Sequence, residues 1–240
     1  MGPGMDCRLC LFIDIVNLLL TLGGDAGYWG DMSRRPGDRN RNFAAKRSQM
    51  LEALEPRLLQ DDAARLTMNE LATVADVSVS TLRQHLGSRG DVIAAVLERQ
   101  GSRGAPYLAS VAAEPEGGLE VSLRTTLQRM VSGLEHGLGD VLSNGLSLGL
   151  RDPTVGPAFL ETMLEPILQS LEARLAWHQQ KGELAPCDTR VAALSLVAPL
   201  VLGALHQRGL CGDRVRPLSL TALVDELVTR FVKAYAAPLG

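Results

Sequence analysis

Aromatic side chains are scarce in this chain, at 4% of its residues, and no run rich in Val, Ile, Tyr or Phe alternates as a strand would. Leu, Ala and Val supply most of a 46% hydrophobic content, so the composition argues against a sheet and for helices with a sizeable buried core. Cysteine is sparse too. Cys7, Cys10, Cys187 and Cys211 have no disulfide-framework spacing, which excludes a small stapled secreted scaffold and makes a reduced, cytoplasmic setting the default. Cys7 and Cys10 form a lone C-x-x-C with no second pair, so neither a metal nor any other cofactor is expected. A long apolar run is also missing. The nearest approach, Leu9 to Leu22, is interrupted by Asp14 and Asn17 and is too short for a comfortable membrane span. With only Arg8 before it and no small-residue cleavage site, it does not read as a secretory signal. It reads as an extra helix on the body, a partner-binding helix, or a segment ahead of a later start at Met32. No membrane partner is expected.

Charge is present in moderation and is uneven. The net formal charge is −3. Between Arg34 and Gly104, 12 Lys plus Arg face 9 Asp plus Glu, a net of +3; the remainder carries 12 against 18, a net of −6. A mildly basic front on an acidic body suits a nucleic-acid-binding head joined to a different module. From Gly23 to Asn42 the chain is rich in Gly, Asp and Arg, including Arg34, Arg35, Arg39 and Arg41. This composition reads as a flexible linker or a basic arm along phosphates. A first helix is expected from Phe43 or Ala44 to Leu59, with Met50, Leu51, Leu54 and Leu58 on one face and Pro56 disturbing its end.

Thr67 to Glu98 carries the most information. Thr67 and Glu70 form a capping box that starts a helix from Met68 to about Ala75, with Leu71, Ala72 and Ala75 inward. Asp76-Val77-Ser78 is a turn. Ser78 caps a second helix, Val79 to Leu86, whose apolar Leu82 and Leu86 recur at i, i+4. Val79, Ser80, Thr81, Arg83, Gln84 and His85 are left at the leading end or on the outer face, and side chains of this kind suit base edges and phosphate oxygens. Ser88 and Asp91 cap a further helix from Arg89 through Glu98.

This segment resembles the DNA-binding domain of the tetracycline-repressor (TetR) family, which reads roughly T-x-x-x-I-A-x-x-A-G-V-S-x-x-T-L-Y-x-H-F-x-S-K-E-x-L. Thr67, Leu71, Ala72, Ala75, Val77, Ser78, Thr81, Leu82, His85 and Ser88 fall on matching positions. Asp76, Arg83, Leu86, Arg89 and Gly90 depart from it, and upstream Asp62 and Pro56 are atypical. The resemblance implies DNA contacts from Thr67, Ser78, Val79, Ser80, Thr81, Arg83, Gln84, His85 and Arg89. Thr67, Arg83 and Arg89 would help anchor phosphates.

After a Gly/Pro-marked break at Gly101–Pro106 and Glu114–Gly118, helices are expected over Leu119–His136, Val141–Leu148, Val155–Lys181 (bent at Pro166), Thr189–Gln207 and Leu218–Ala236. The last two are more apolar than one buried face requires, and the resemblance implies a homodimer built from them. A small-molecule effector pocket is expected around Met130, Leu134, Phe159, Met163 and Trp177, with Leu146, Leu164 and Leu200, although the same residues would serve as plain core. Gly145-Leu146-Ser147-Leu148-Gly149 matches G-x-S-x-G, with Asp188 and His206 following in hydrolase order. No strand precedes it, so it is not taken as a nucleophile elbow and no enzyme is expected. His136, His178 and His206 are too scattered for metal ligation.

The sequence therefore reads as an all-α chain. It divides into an N-terminal extension (1–42), a three-helix helix-turn-helix DNA-binding domain (43–104) and a helical effector-binding and dimerisation domain (105–240). Its expected partners are double-stranded DNA, a small-molecule effector and a second copy of itself. The function this implies is transcriptional regulation, as a repressor released from a palindromic operator by its effector. A helical ligand- or partner-binding protein with a degenerate head is the alternative.

Overall fold

A computed structural model describes residues 36–58, 60 and 63–237. The apolar run Leu9–Leu22 and the arginines at 34 and 35 lie outside the described residues. Helices dominate: α1 (Pro36–Leu58), α2 (Met68–Val74), α3 (Val79–Leu86), α4 (Arg89–Ala112), α5 (Leu119–Gly133), α6 (Gly139–Gly149), α7 (Val155–Phe159), α8 (Glu165–Gln180), α9 (Thr189–Ala204), α10 (Gly212–Val215) and α11 (Leu220–Tyr235). Among the described residues there is no strand, only an isolated bridge between Leu184 and Ala236.

Local chemistry fixes the head. Thr67 Oγ1 accepts the Glu70 amide at 3.3 Å while Glu70 Oε2 accepts the Thr67 amide at 2.7 Å, closing a reciprocal cap on α2. Ser78 caps α3 by accepting the Thr81 amide at 3.1 Å. Ser88 and Asp91 repeat the reciprocal cap on α4, and the hydrogen bonds from Ser88 hold the Asp91 carboxyl below its ordinary pKa. Leu71, Ala72, Leu82 and Leu86 are buried with Met50, Leu51, Leu54 and Leu58 of α1. These three helices pack on one another and on α4, and their buried residues run on into the core of the body.

Between α2 and α3 the Val77 amide reaches back to the Ala72 carbonyl at 3.0 Å, which requires the left-handed conformation of Asp76 (φ 51°). A branched side chain there clashes with its own backbone. Asp76→Val is expected to lower stability by about 1–2 kcal/mol and Asp76→Gly to leave it nearly unchanged. Urea midpoints of the two variants check this.

The structure departs from the sequence expectations in three places. Helix α1 starts at Pro36, inside the stretch expected to be a linker, and Pro56 stands exposed in its last turn, where the helix is about to end. Helix α4 runs unbroken to Ala112, through the expected break at Gly101–Pro106. Gly101 allows this close packing: a β-carbon there would stand 2.3 Å from the Thr162 carbonyl oxygen, so α4 can lie directly on the segment leading into α8. Third, three wide π-type turns interrupt the body, at Leu134–Leu138, Leu160–Leu164 and Leu205–Gly209. The first is a true bend, with His136 off helical geometry and Gly137 at φ 116°, which glycine alone adopts without strain.

In the body, α4 packs on α7 and α8, α5 on α11, α6 on α7, and α9 on α8 and α11. Helix α6 also touches the Ala63–Arg65 turn of the head. Glu55 of α1, 4% exposed, ties head to connector by accepting from Arg99 Nε at 3.0 Å and from Gln100 and Arg103, all on α4.

Candidate nucleic-acid interface

Helix α3 is anchored from behind. Leu82 and Leu86, one turn apart, are 0% and 5% exposed, and Val79 and Val77 pack partly against the same core. The opposite side of α3 therefore faces outward, and Ser80, Arg83 and Gln84 are exposed along it. Arg83 brings a cation with planar, forked donors, and Gln84 an amide that both donates and accepts. Those are the two kinds of group that read a purine edge in pairs.

The other expected contacts are placed less freely. Ser78 Oγ lies 2.8 Å from both Ser80 Oγ and Thr81 Oγ1, so the three hydroxyls form one capping cluster at the leading end of α3. Thr67 is exposed, but its hydroxyl donates to Glu70 Oε2 at 2.8 Å. Arg89 turns inward, with Nε donating to the Leu66 carbonyl at 2.7 Å and Nη2 to the Ala63 carbonyl at 3.3 Å. It pins the start of α4 to the loop that leads into α2. His85 is half-buried and stacks on the ring of Phe43, with centroids 4.2 Å apart. The sequence reading missed Phe43 in this role, because an aromatic at the expected start of α1 carries no signal that it will cover α3. Lys46 and Arg65, both exposed, add cations to the head.

The expected effector residues do not gather around one space. Met130, Leu134, Phe159 and Met163 are each at most 6% exposed and belong to the continuous core. Trp177 sits at the end of α8, edge-on to His178 and beneath Lys181. A cleft of about 490 Å³ opens elsewhere, between the α5–α6 bend and the end of α9, and of the five expected residues only Leu134 lines it.

The Gly145–Gly149 motif is the interior of α6, with Ser147 exposed, so it forms no strand-to-helix elbow. Its glycines are there for packing. A β-carbon on Gly145 would meet the Phe159 ring at 2.5 Å, and one on Gly149 would meet the backbone of Gly156 at 3.1 Å. Of the three histidines of the body, His136 is exposed, His206 is half-buried beside Gln207, and His178 is fully buried in a polar network.

A three-helix head with one anchored, outward-facing helix, carried by the long helix α4 on a helical body, defines a helix-turn-helix fold. Residues 145–237 match the family model of the AefR-like transcriptional repressor C-terminal domain. Among solved structures, a TetR-family transcriptional regulator from Mesorhizobium loti superimposes with a TM-score of 0.67 at 20% identity, covering 81% of this chain and 98% of that one. Salmonella enterica GusR gives 0.58 at 22% identity, covering 79% and 96%. FadR from Bacillus subtilis in complex with stearoyl-CoA gives 0.58 at 17% identity, covering 77% and 97%. No curated protein matches the chain. Residues 145–237 are thus similar to the C-terminal domain of a TetR-type repressor, and the described chain shares the fold of solved TetR-family structures.

Proposed function

We propose that the protein represses transcription by binding a palindromic operator as a homodimer, with α3 of each subunit in the major groove of one half-site, and that a small-molecule effector releases it. The observation that carries this reading is the two-sided character of α3, with Leu82 and Leu86 buried behind Ser80, Arg83 and Gln84. A dimer supplies the second head, and half-sites about one helical turn apart on one face of the duplex then meet two copies of α3.

The dimer face is proposed on α9. Together with its wide turn, α9 spans Thr189–Gly209 and has a mean hydropathy of 1.5, long and apolar enough to cross a membrane by length and composition alone. Its inner side, with Ala192, Ala193, Leu196, Val197 and Leu200, is buried in the body. Its outer side leaves Val191 at 59%, Leu194 at 48% and Leu202 at 66% exposed, a stripe at helical spacing. A soluble protein covers such a stripe with a partner, and a second copy supplies an identical one.

Operator binding tests the reading directly. The native protein is expected to bind a duplex from upstream of its own gene with a steep salt dependence, since each phosphate contact releases counterions. Arg83→Ala and Gln84→Ala should each cost about 1–3 kcal/mol of discrimination for that duplex over a scrambled one. Fluorescence anisotropy at two salt concentrations measures both effects. The engagement of Thr67 with Glu70 and of Arg89 with the Leu66 carbonyl favours, as a second reading, a helical partner-binding protein whose head has lost DNA binding. In that case native and variant proteins bind duplex equally weakly.

A further inference from the structure

We infer that the cleft of about 490 Å³ between the α5–α6 bend and the end of α9 is the effector site, and that it takes an amphiphilic zwitterion about the size of a short apolar peptide. This inference rests on the regulator reading above.

The cleft has an apolar floor and a charged rim. Leu134, Ala204 and Leu220, each under 6% exposed, form the floor. Glu135, Arg208, Asp213 and Arg214 stand around it, two acids and two guanidinium groups. Opposite charges sharing one cleft would ordinarily pair. Among the described residues none of these four side chains makes an ion pair or hydrogen bond, so they stand too far apart to satisfy one another. A ligand bearing both a carboxylate and an ammonium group completes both sets at once, and its apolar part covers the leucines. A plain anion or cation would leave one pair of rim charges facing it unfavourably.

The backbone around the cleft is irregular on two sides. The wide turns Leu134–Leu138 and Leu205–Gly209 flank it, and π-type turns recur at functional sites because they forfeit regular helix hydrogen bonding for a local shape. Ala204 lies on the buried side of α9, away from Val191, Leu194 and Leu202.

The cleft also sits where a ligand can be felt by the head. Leu134 and Glu135 lie at the bend from which α6 departs, and α6 touches the Ala63–Arg65 turn. Past the end of α6, Asp152 and Thr154 close on Gly90, where a β-carbon would stand 3.0 Å from Thr154 Cβ. Arg89, next in the chain, holds the carbonyls of Ala63 and Leu66. Moving the α5–α6 bend therefore bears on the two points that orient α2 and α3.

The dipeptide leucyl-phenylalanine, its N-acetyl derivative (an anion) and its C-terminal amide (a cation) share one apolar part and differ only in charge. Calorimetry with the full-length native protein should show the zwitterion binding at least tenfold tighter than either blocked form. Arg208→Ala with Arg214→Ala should weaken it at least tenfold, and Glu135→Gln with Asp213→Asn should do the same. All four side chains are exposed, so the fold should be undisturbed, and unchanged thermal midpoints verify that. Equal binding of the three peptides, no binding of any, or binding indifferent to the rim substitutions overturns the site. Duplex affinity is measured separately. If the zwitterion binds at the rim but leaves an established protein–DNA complex intact, the effector role is overturned. If the native protein binds no duplex, the regulator reading fails whatever the calorimetry shows.

Discussion

Leu194→Glu combined with Leu202→Glu is expected to give a folded monomer that binds its operator about 10²–10⁴-fold more weakly than the native protein. Both leucines lie on the outer side of α9, at 48% and 66% exposure, opposite Ala193, Leu196 and Leu200, which are buried in the body. The isolated subunit should therefore tolerate the change. In the proposed dimer each substitution occurs twice. Burying a leucine is worth about 1.5–3 kcal/mol, and a carboxylate placed in the same contact adds a desolvation penalty of several kcal/mol. Four such changes outweigh the surplus that holds an ordinary dimer together. DNA affinity falls because the second head no longer arrives tethered to the first, and the effective concentration supplied by that tether is lost. Light scattering should show one 25.7 kDa chain in place of two, with an unchanged helical circular dichroism spectrum. A variant that stays dimeric and binds as before places the interface elsewhere.

The head could be read from sequence because its determinants are local. The capping pairs Thr67/Glu70 and Ser88/Asp91 lie three residues apart, Leu82 and Leu86 four apart, and the bounds Val79–Leu86 follow from cap and periodicity alone. The body could be read only as far as period allows. An apolar stripe says that a face is buried, without saying whether it meets another helix or a cavity. Met130, Phe159 and Met163 consequently belong to the core although they were expected around an effector. The continuation of α4 past Gly101 depends on Thr162, about sixty residues away, and local rules that weigh Gly and Pro as breakers cannot weigh a remote carbonyl. The cleft residues escaped for a related reason. Glu135, Arg208, Asp213 and Arg214 are polar and sit at helix ends and turns, where composition predicts solvated surface. The inward turn of Arg89 was hidden as well, because a cation at a phosphate-contacting position and a cation bonded to nearby carbonyls look identical in sequence.

Arg174→Met is expected to cost about 2–4 kcal/mol of stability, more than any single substitution on the surface of the body. Arg174 is 8% exposed. Its Nε donates to the Val111 carbonyl at 2.7 Å and Nη2 to that of Ser110 at 3.2 Å, capping the last turn of α4. Nη1 donates to Ser122 Oγ of α5 at 2.9 Å, and Ser122 Oγ lies 2.9 Å from His178 Nε2, whose Nδ1 meets Glu183 Oε2 at 2.7 Å. Burial, and secondarily Arg129, pull the Arg174 pKa down, so the charged form is held at some expense to the fold. Methionine removes that desolvation penalty and fills most of the volume, which offsets part of the loss. Three acceptors are nevertheless left without their donor, at about 1–3 kcal/mol for each that stays buried. Ser122→Ala removes the hydroxyl from both Arg174 and His178 and should cost about 1–3 kcal/mol, and the double variant should cost less than the two together, since they share the Arg174–Ser122 bond. Urea midpoints at constant m-value measure all three. A cost within 0.5 kcal/mol of zero for Arg174→Met would mean that water replaces the guanidinium and that the junction of α4, α5 and α8 is held by its leucines alone.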